Sequence, residues 1–134
     1  MAKWPLTWTT PWLPVPAPHL AANARLQAAD PDSVLNGVRA FLHWRDAQPA
    51  LREGSIRFID APGQLLAFIR ESQSQRVMVV LNLSPTAVSM ALPDFARGAV
   101  PVIGHRLAEG TLDARELRLP PHGAWYGTLP RGRA

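Results

Sequence analysis

Beyond Gly54 the sequence is cut into short β-branched or alternating apolar runs, and this punctuation constrains the fold more than any other feature. Breaks fall at Ala61-Pro62-Gly63, along the polar stretch from Glu71 to Gln75, and at Ser84-Pro85. Strands are therefore expected at 55–60, 64–70, 76–83, 86–92, 99–104, 115–119 and 123–129. The 76–83 run stays apolar until Asn82, as a central strand covered on both faces does. Ile56 with Phe58, and Leu66 with Phe68, alternate like half-buried strands. Seven short strands at this spacing indicate an antiparallel sandwich or barrel.

A single helical pattern precedes them at 30–48. Asp30 suits the N-cap, Pro31 the first helical position, and Asp32 adds negative charge to the first turn. Val34, Leu35, Val38, Phe41, Leu42 and the stem of Arg45 fall within about 120° of arc, an apolar face wide enough to meet a core. Pro49 should end the helix at Gln48, and Pro49-Ala50-Leu51 should lead to a turn at Glu53-Gly54. Upstream, residues 1–29 are rich in proline and tryptophan and read as an extended lead-in segment. The chain thus divides into 1–29, 30–54 and 55–134. A lone helix followed only by strands leaves its apolar face in want of a partner.

The chain has 134 residues, 47% of them hydrophobic, enough for one domain to bury a core. Cysteine is absent, which excludes disulfides, thiolate zinc sites and cysteine nucleophiles. The longest aliphatic run, Val77 to Leu81, is far short of the roughly 20 residues that a bilayer-spanning helix needs. Residues 1–30 carry one lysine, Lys3, and prolines at 5, 11, 14, 16 and 18, so no signal-like apolar stretch is seen and a cytoplasmic location is expected. The net charge is +4, yet arginines are spread evenly along the chain, which argues against a nucleic-acid-binding stripe.

The candidates for chemistry are few. Every carboxylate from Asp30 to Glu116 has a bland reading, at the helix ends or in turns. His19, His43, His105 and His122 form no zinc-binding spacing, and His43 is expected to be a partly buried helix residue. No serine sits in a Gly-x-Ser-x-Gly elbow and no glycine cluster forms a phosphate loop, so neither a catalytic residue, a metal nor a cofactor is expected. Trp4, Trp8 and Trp12 are the one constellation able to stack on sugar rings. Pro5 and Pro11 disfavour a helix there, and packing against a neighbouring surface is the stronger reading.

Several motifs in order carry a resemblance. They are Pro11-Trp12-Leu13-Pro14-Val15, then Gln27-x-x-Asp30-Pro31-Asp32-Ser33-Val34-Leu35-Asn36, Arg39 to Arg45, Pro49-Ala50-Leu51-x-x-Gly54, Val79 to Ser84, and Leu117-x-Leu119-Pro120-Pro121-x-Gly123. Together they resemble the end of bacterial α-glucosidases of the α-amylase superfamily, glycoside hydrolase family thirteen. The resemblance implies that Trp12 to about residue 50 corresponds to the last loop and helix of a (β/α)₈ barrel, and that 55–134 is a Greek-key-like C-terminal β-sandwich of seven or eight strands. It departs near the start, where only Thr9 and Thr10 separate Trp8 from Pro11 and the family has a longer loop.

In that family a nucleophilic aspartate and a glutamate acid/base, carried on earlier barrel strands, hydrolyse or transfer α-glucosides. None of those motifs occurs here, so the chain is expected to be inert alone and to stabilise a catalytic barrel. The expected partner of the helix face is that barrel, in cis or in trans, or a second copy of the chain. A module that binds maltooligosaccharides is the alternative.

Overall fold

In the computed structural model residues 13–130 are described, and the chain divides into two compact units, with the boundary between Val38 and Arg39 inside a helix. In the first unit, α1 (Ala17–Ala21) and α2 (Ala24–Ala29) are short helices where an extended course was expected. Asn23 starts α2 by accepting a bond from the Leu26 N–H at 3.0 Å, a local cap within a proline-rich stretch.

The long helix α3 (Val34–Asp46) begins three residues later than the Asp30-Pro31 pattern suggested. Asp30 is spent on a turn, its side chain accepting from the Asp32 N–H, and Ser33 takes the capping role by accepting from the Asn36 N–H at 3.2 Å. Gln27 then ties α2 to this start. Its carbonyl accepts from Ser33 Oγ at 2.6 Å and Asn36 Nδ2 at 3.0 Å, while its Oε1 accepts from the Leu35 N–H at 3.1 Å. Ser33→Ala removes both the cap and a tie to α2, so it should cost about 1 kcal/mol in a urea titration.

In the second unit α4 (Pro49–Glu53) replaces the expected lead-out. Proline is at home in a first turn, and the Ala50 N–H finds an acceptor in the Gln75 side chain at 3.1 Å. Gly54 ends α4 where a Cβ would lie 2.7 Å from the Glu71 carbonyl oxygen, so only glycine fits there.

Among the described residues eight strands follow: β1 (Ser55–Ile59), β2 (Leu65–Glu71), β3 (Arg76–Asn82), β4 (Val88–Ala91), β5 (Val100–Pro101), β6 (Thr111–Asp113), β7 (Glu116–Leu119) and β8 (Ala124–Thr128). They form a sandwich of two antiparallel sheets, ordered β1-β2-β3-β8-β5 and β4-β7-β6. The expected run at 99–104 contributes only two ladder residues, because Pro101 lacks an N–H and Gly104 turns the chain at a φ of 92°. Strand β6 was not foreseen; three residues are too few to show an alternation.

The inter-sheet core is built by alternation. Leu65, Ala67 and Ile69 of β2, Met78 and Val80 of β3, and Trp125 of β8 meet Met90, Leu117 and Leu119 from the smaller sheet. The other face of β3 and β8 presents Val77, Val79, Ala124 and Tyr126 to Ala50 and Leu51 of α4, with Phe41 and Trp44 of α3 packed alongside. Strand β3 is therefore covered on both sides, which its unbroken apolar run requires. Strand β1 differs from expectation: it is an edge strand whose Ile56 and Phe58 are exposed, since α3 and α4 cover only the middle of the larger sheet.

Candidate functional site

Neither of two surface hollows lined by described residues is a catalytic cleft. The first, about 410 Å³, is lined by Pro62, Gly63, Gln64, Ser84, Pro85, Thr86 and Val88 and contains no carboxylate. The second, about 610 Å³, holds Asp113 and Glu116, which face each other across the β6–β7 hairpin. Glu116 accepts a bond from Arg118 at 2.9 Å, and that bond holds its carboxyl below the usual carboxylate value. A glycosidase general acid needs the opposite shift, produced by burial. All ten Asp and Glu side chains of the chain are exposed. Among the described residues no three metal-ligating side chains gather, and no helix is long and apolar enough to cross a membrane.

What the structure does assemble is a polar and aromatic cluster where α3 meets the larger sheet. Trp44 donates from Nε1 to the Ile103 carbonyl at 2.9 Å. Its ring stands edge-on to Tyr126, with centroids 4.8 Å apart, and to His105 at 5.4 Å. His105 is buried to 2% exposure, and its Nδ1 accepts from the Leu107 N–H at 3.1 Å. Its Nε2 lies 4.0 Å from Glu109 Oε1, which accepts from the Gly104 N–H at 3.1 Å. Burial pushes the His105 imidazole below its ordinary value against the pull of Glu109, and burial likewise raises the Tyr126 phenol.

The second surface feature is apolar. Phe58 is 62% exposed on the edge strand, edge-on to Phe68 at 5.8 Å, and Ile56 lies exposed two residues before it. On α3, Phe41 packs on the sheet and Leu35 is half-buried, whereas Val34, Val38 and Leu42 are exposed. His43 is exposed too, contrary to expectation, because only Phe41 and Trp44 of that stretch turn toward the sheet. Trp4, Trp8 and Trp12 lie outside the described residues. Sequence reasoning missed the cluster of Trp44, His105, Glu109 and Tyr126; its members are scattered between positions 44 and 126, and only the fold brings them together.

These features define a β-sandwich preceded by helices, with no catalytic constellation among the described residues. The chain belongs to the family of the maltogenic amylase C-terminal domain, whose profile matches residues 56–125. It is 38% identical over 120 residues to the probable alpha-glucosidase of Rhizobium meliloti (strain 1021), a match covering 90% of this chain and 21% of that protein. The crystal structure of the alpha-glucosyl transfer enzyme XgtA aligns with a TM-score of 0.82 at 41% identity, over 90% of this chain and 22% of that one. The trehalulose synthase MutB from Pseudomonas mesoacidophila MX-45 aligns at 0.66 and 27% identity, over 90% and 22%. The motifs from Pro11 to Gly123 thus resemble true relatives, and the chain spans about a fifth of their length.

Proposed function

We propose that this chain is the non-catalytic C-terminal part of an enzyme acting on α-glucosides, and that it stabilises a catalytic barrel supplied by the remaining four-fifths of such a protein, in cis or in trans. The uncovered apolar surface carries this reading: Ile56 and Phe58 on β1, with Leu42 on α3, are large apolar side chains left in water. The exposure of every Asp and Glu side chain supports the absence of chemistry.

The test is made on the purified chain. It should release no p-nitrophenol from a p-nitrophenyl α-glucoside, and steady release would overturn the reading. Light scattering should show association that rises with concentration and falls in Phe58→Asp, whose exposed position keeps the fold intact. A concentration-independent monomer removes the argument from the apolar surface. The same reading places the chain in the cytoplasm; recovery from a secreted fraction would count against that part of it.

A further inference from the structure

The cluster around His105 has features that structural packing alone does not need. The residues on either side of it hold left-handed backbone conformations, Gly104 with a φ of 92° and Arg106 with a φ of 61°. Arginine adopts that region at a cost, so the loop is held in place by its contacts. Those contacts depend on protonation. Because Nδ1 accepts from the Leu107 N–H, the ring must be neutral with its proton on Nε2, directed at Glu109. A proton added to Nδ1 sets two N–H groups against each other inside a buried site.

We propose that His105 pins an acid-sensitive latch: the neutral ring holds the 103–109 loop closed against Trp44, and protonation of Nδ1 by solvent releases it. The groups around the ring fit a device of this kind. Strand β8 supplies the Tyr126 phenol, whose raised value keeps it neutral throughout the acid range, and α3 supplies the uncharged indole of Trp44. The loop itself supplies Glu109, whose carboxylate favours the protonated ring but is outweighed by burial. The closed state therefore binds the proton more weakly than the open one. Closure is complete above about pH 6.5, the ordinary histidine value, and is lost as pH falls from there through the lowered value of the closed state. When the loop lets go, the Ile103 carbonyl leaves the Trp44 indole, so the end of α3 loses its hydrogen-bonded tie to the sandwich.

The experiment is amide and indole hydrogen exchange by NMR on the full chain, corrected for intrinsic rates. Protection at the Leu107 and Gly104 amides and at Trp44 Nε1 should fall by up to about tenfold per pH unit below 6.5, while β3 stays protected. His105→Asn supplies a non-titrating oxygen near Nδ1 and should abolish this pH dependence. Glu109→Gln keeps an acceptor for Gly104 but removes the charge that favours the protonated ring, so the closed-state value falls further: the loss of protection should begin at the same pH, continue to lower pH and end deeper than in the parent. Long-range nitrogen correlation of the unmodified chain reads the ring directly and guards against a variant that fails to fold; it should show the Nε2–H form at neutral pH. An Nδ1–H form, protection that does not change between pH 7.5 and 4.5, or the same loss in His105→Asn would overturn the proposal.

Discussion

Asn82→Ala should destabilise the chain by about 3 kcal/mol, from two or three buried polar groups left unpaired at roughly 1–3 kcal/mol each. Asn82 ends β3 and is buried, and every polar atom of its side chain is used. Its Nδ2 donates to the Thr86 carbonyl at 2.7 Å and to the Pro120 carbonyl at 2.9 Å. Its Oδ1 accepts from the Ser84 N–H at 3.0 Å and from Ser84 Oγ at 2.8 Å. The side chain thereby joins the turn leaving β3 to the proline corner before β8, two segments that no strand pairing connects. Asn82→Asp offers acceptors where donors are needed and places negative charge against two carbonyls, so it should be worse than alanine at neutral pH and recover in part once the acid protonates. Urea denaturation measures both, and a midpoint within 1 kcal/mol of the parent for Asn82→Ala would mean that water replaces the corner without loss.

That corner explains why the sequence was so readable at family level and so silent about chemistry. The Val79 to Ser84 and Leu117 to Gly123 motifs are the two halves of the Asn82 knot, and the Gln27 to Asn36 motif is the knot joining α2 to α3. The described residues of those motifs are spent on satisfying backbone groups, a demand that few other side chains can meet at the same place. The strands were legible because most alternate or run apolar over four residues or more. Strand β6 was not, and the 99–104 run shrank to two residues, because three-residue or proline-bearing segments carry no period.

The misread helix start shows a local competition. Asp30-Pro31-Asp32 has the composition of a first turn, yet the Asp30 side chain bonds its own backbone two residues on, and Ser33 caps instead. The lead-in segment was read as extended from its prolines, but Pro18 sits in the first turn of α1, where proline is tolerated. The cluster at His105 was not legible at all. Nothing in a linear pattern relates Trp44 to a loop at 103–109 and to Tyr126; that relation is set by the crossing of β8 between β3 and β5.

Trp44→Ala should cost about 2–3 kcal/mol, less than the roughly 3–5 kcal/mol of a fully buried tryptophan because its ring is half-exposed. The loss is expected to be local in its consequences. A helix of 13 residues is marginal in water and persists through packing, and Phe41 and Trp44 are the α3 residues that pack on the larger sheet. Trp44 also stands 5.7 Å from Phe41, so its removal loosens the second contact with the first. Amide exchange over residues 39–46 should therefore accelerate far more than exchange in β2 or β3, whose inter-sheet core residues Trp44 does not touch. Trp44→Phe keeps the edge-on packing against Tyr126 and loses only the bond to Ile103, a net cost of about 1 kcal/mol. If the two variants match, the hydrogen bond rather than the aromatic packing holds α3 to the sheet. If exchange in β3 rises as much as in α3, the helix and the sandwich unfold as one unit and the anchor is not local.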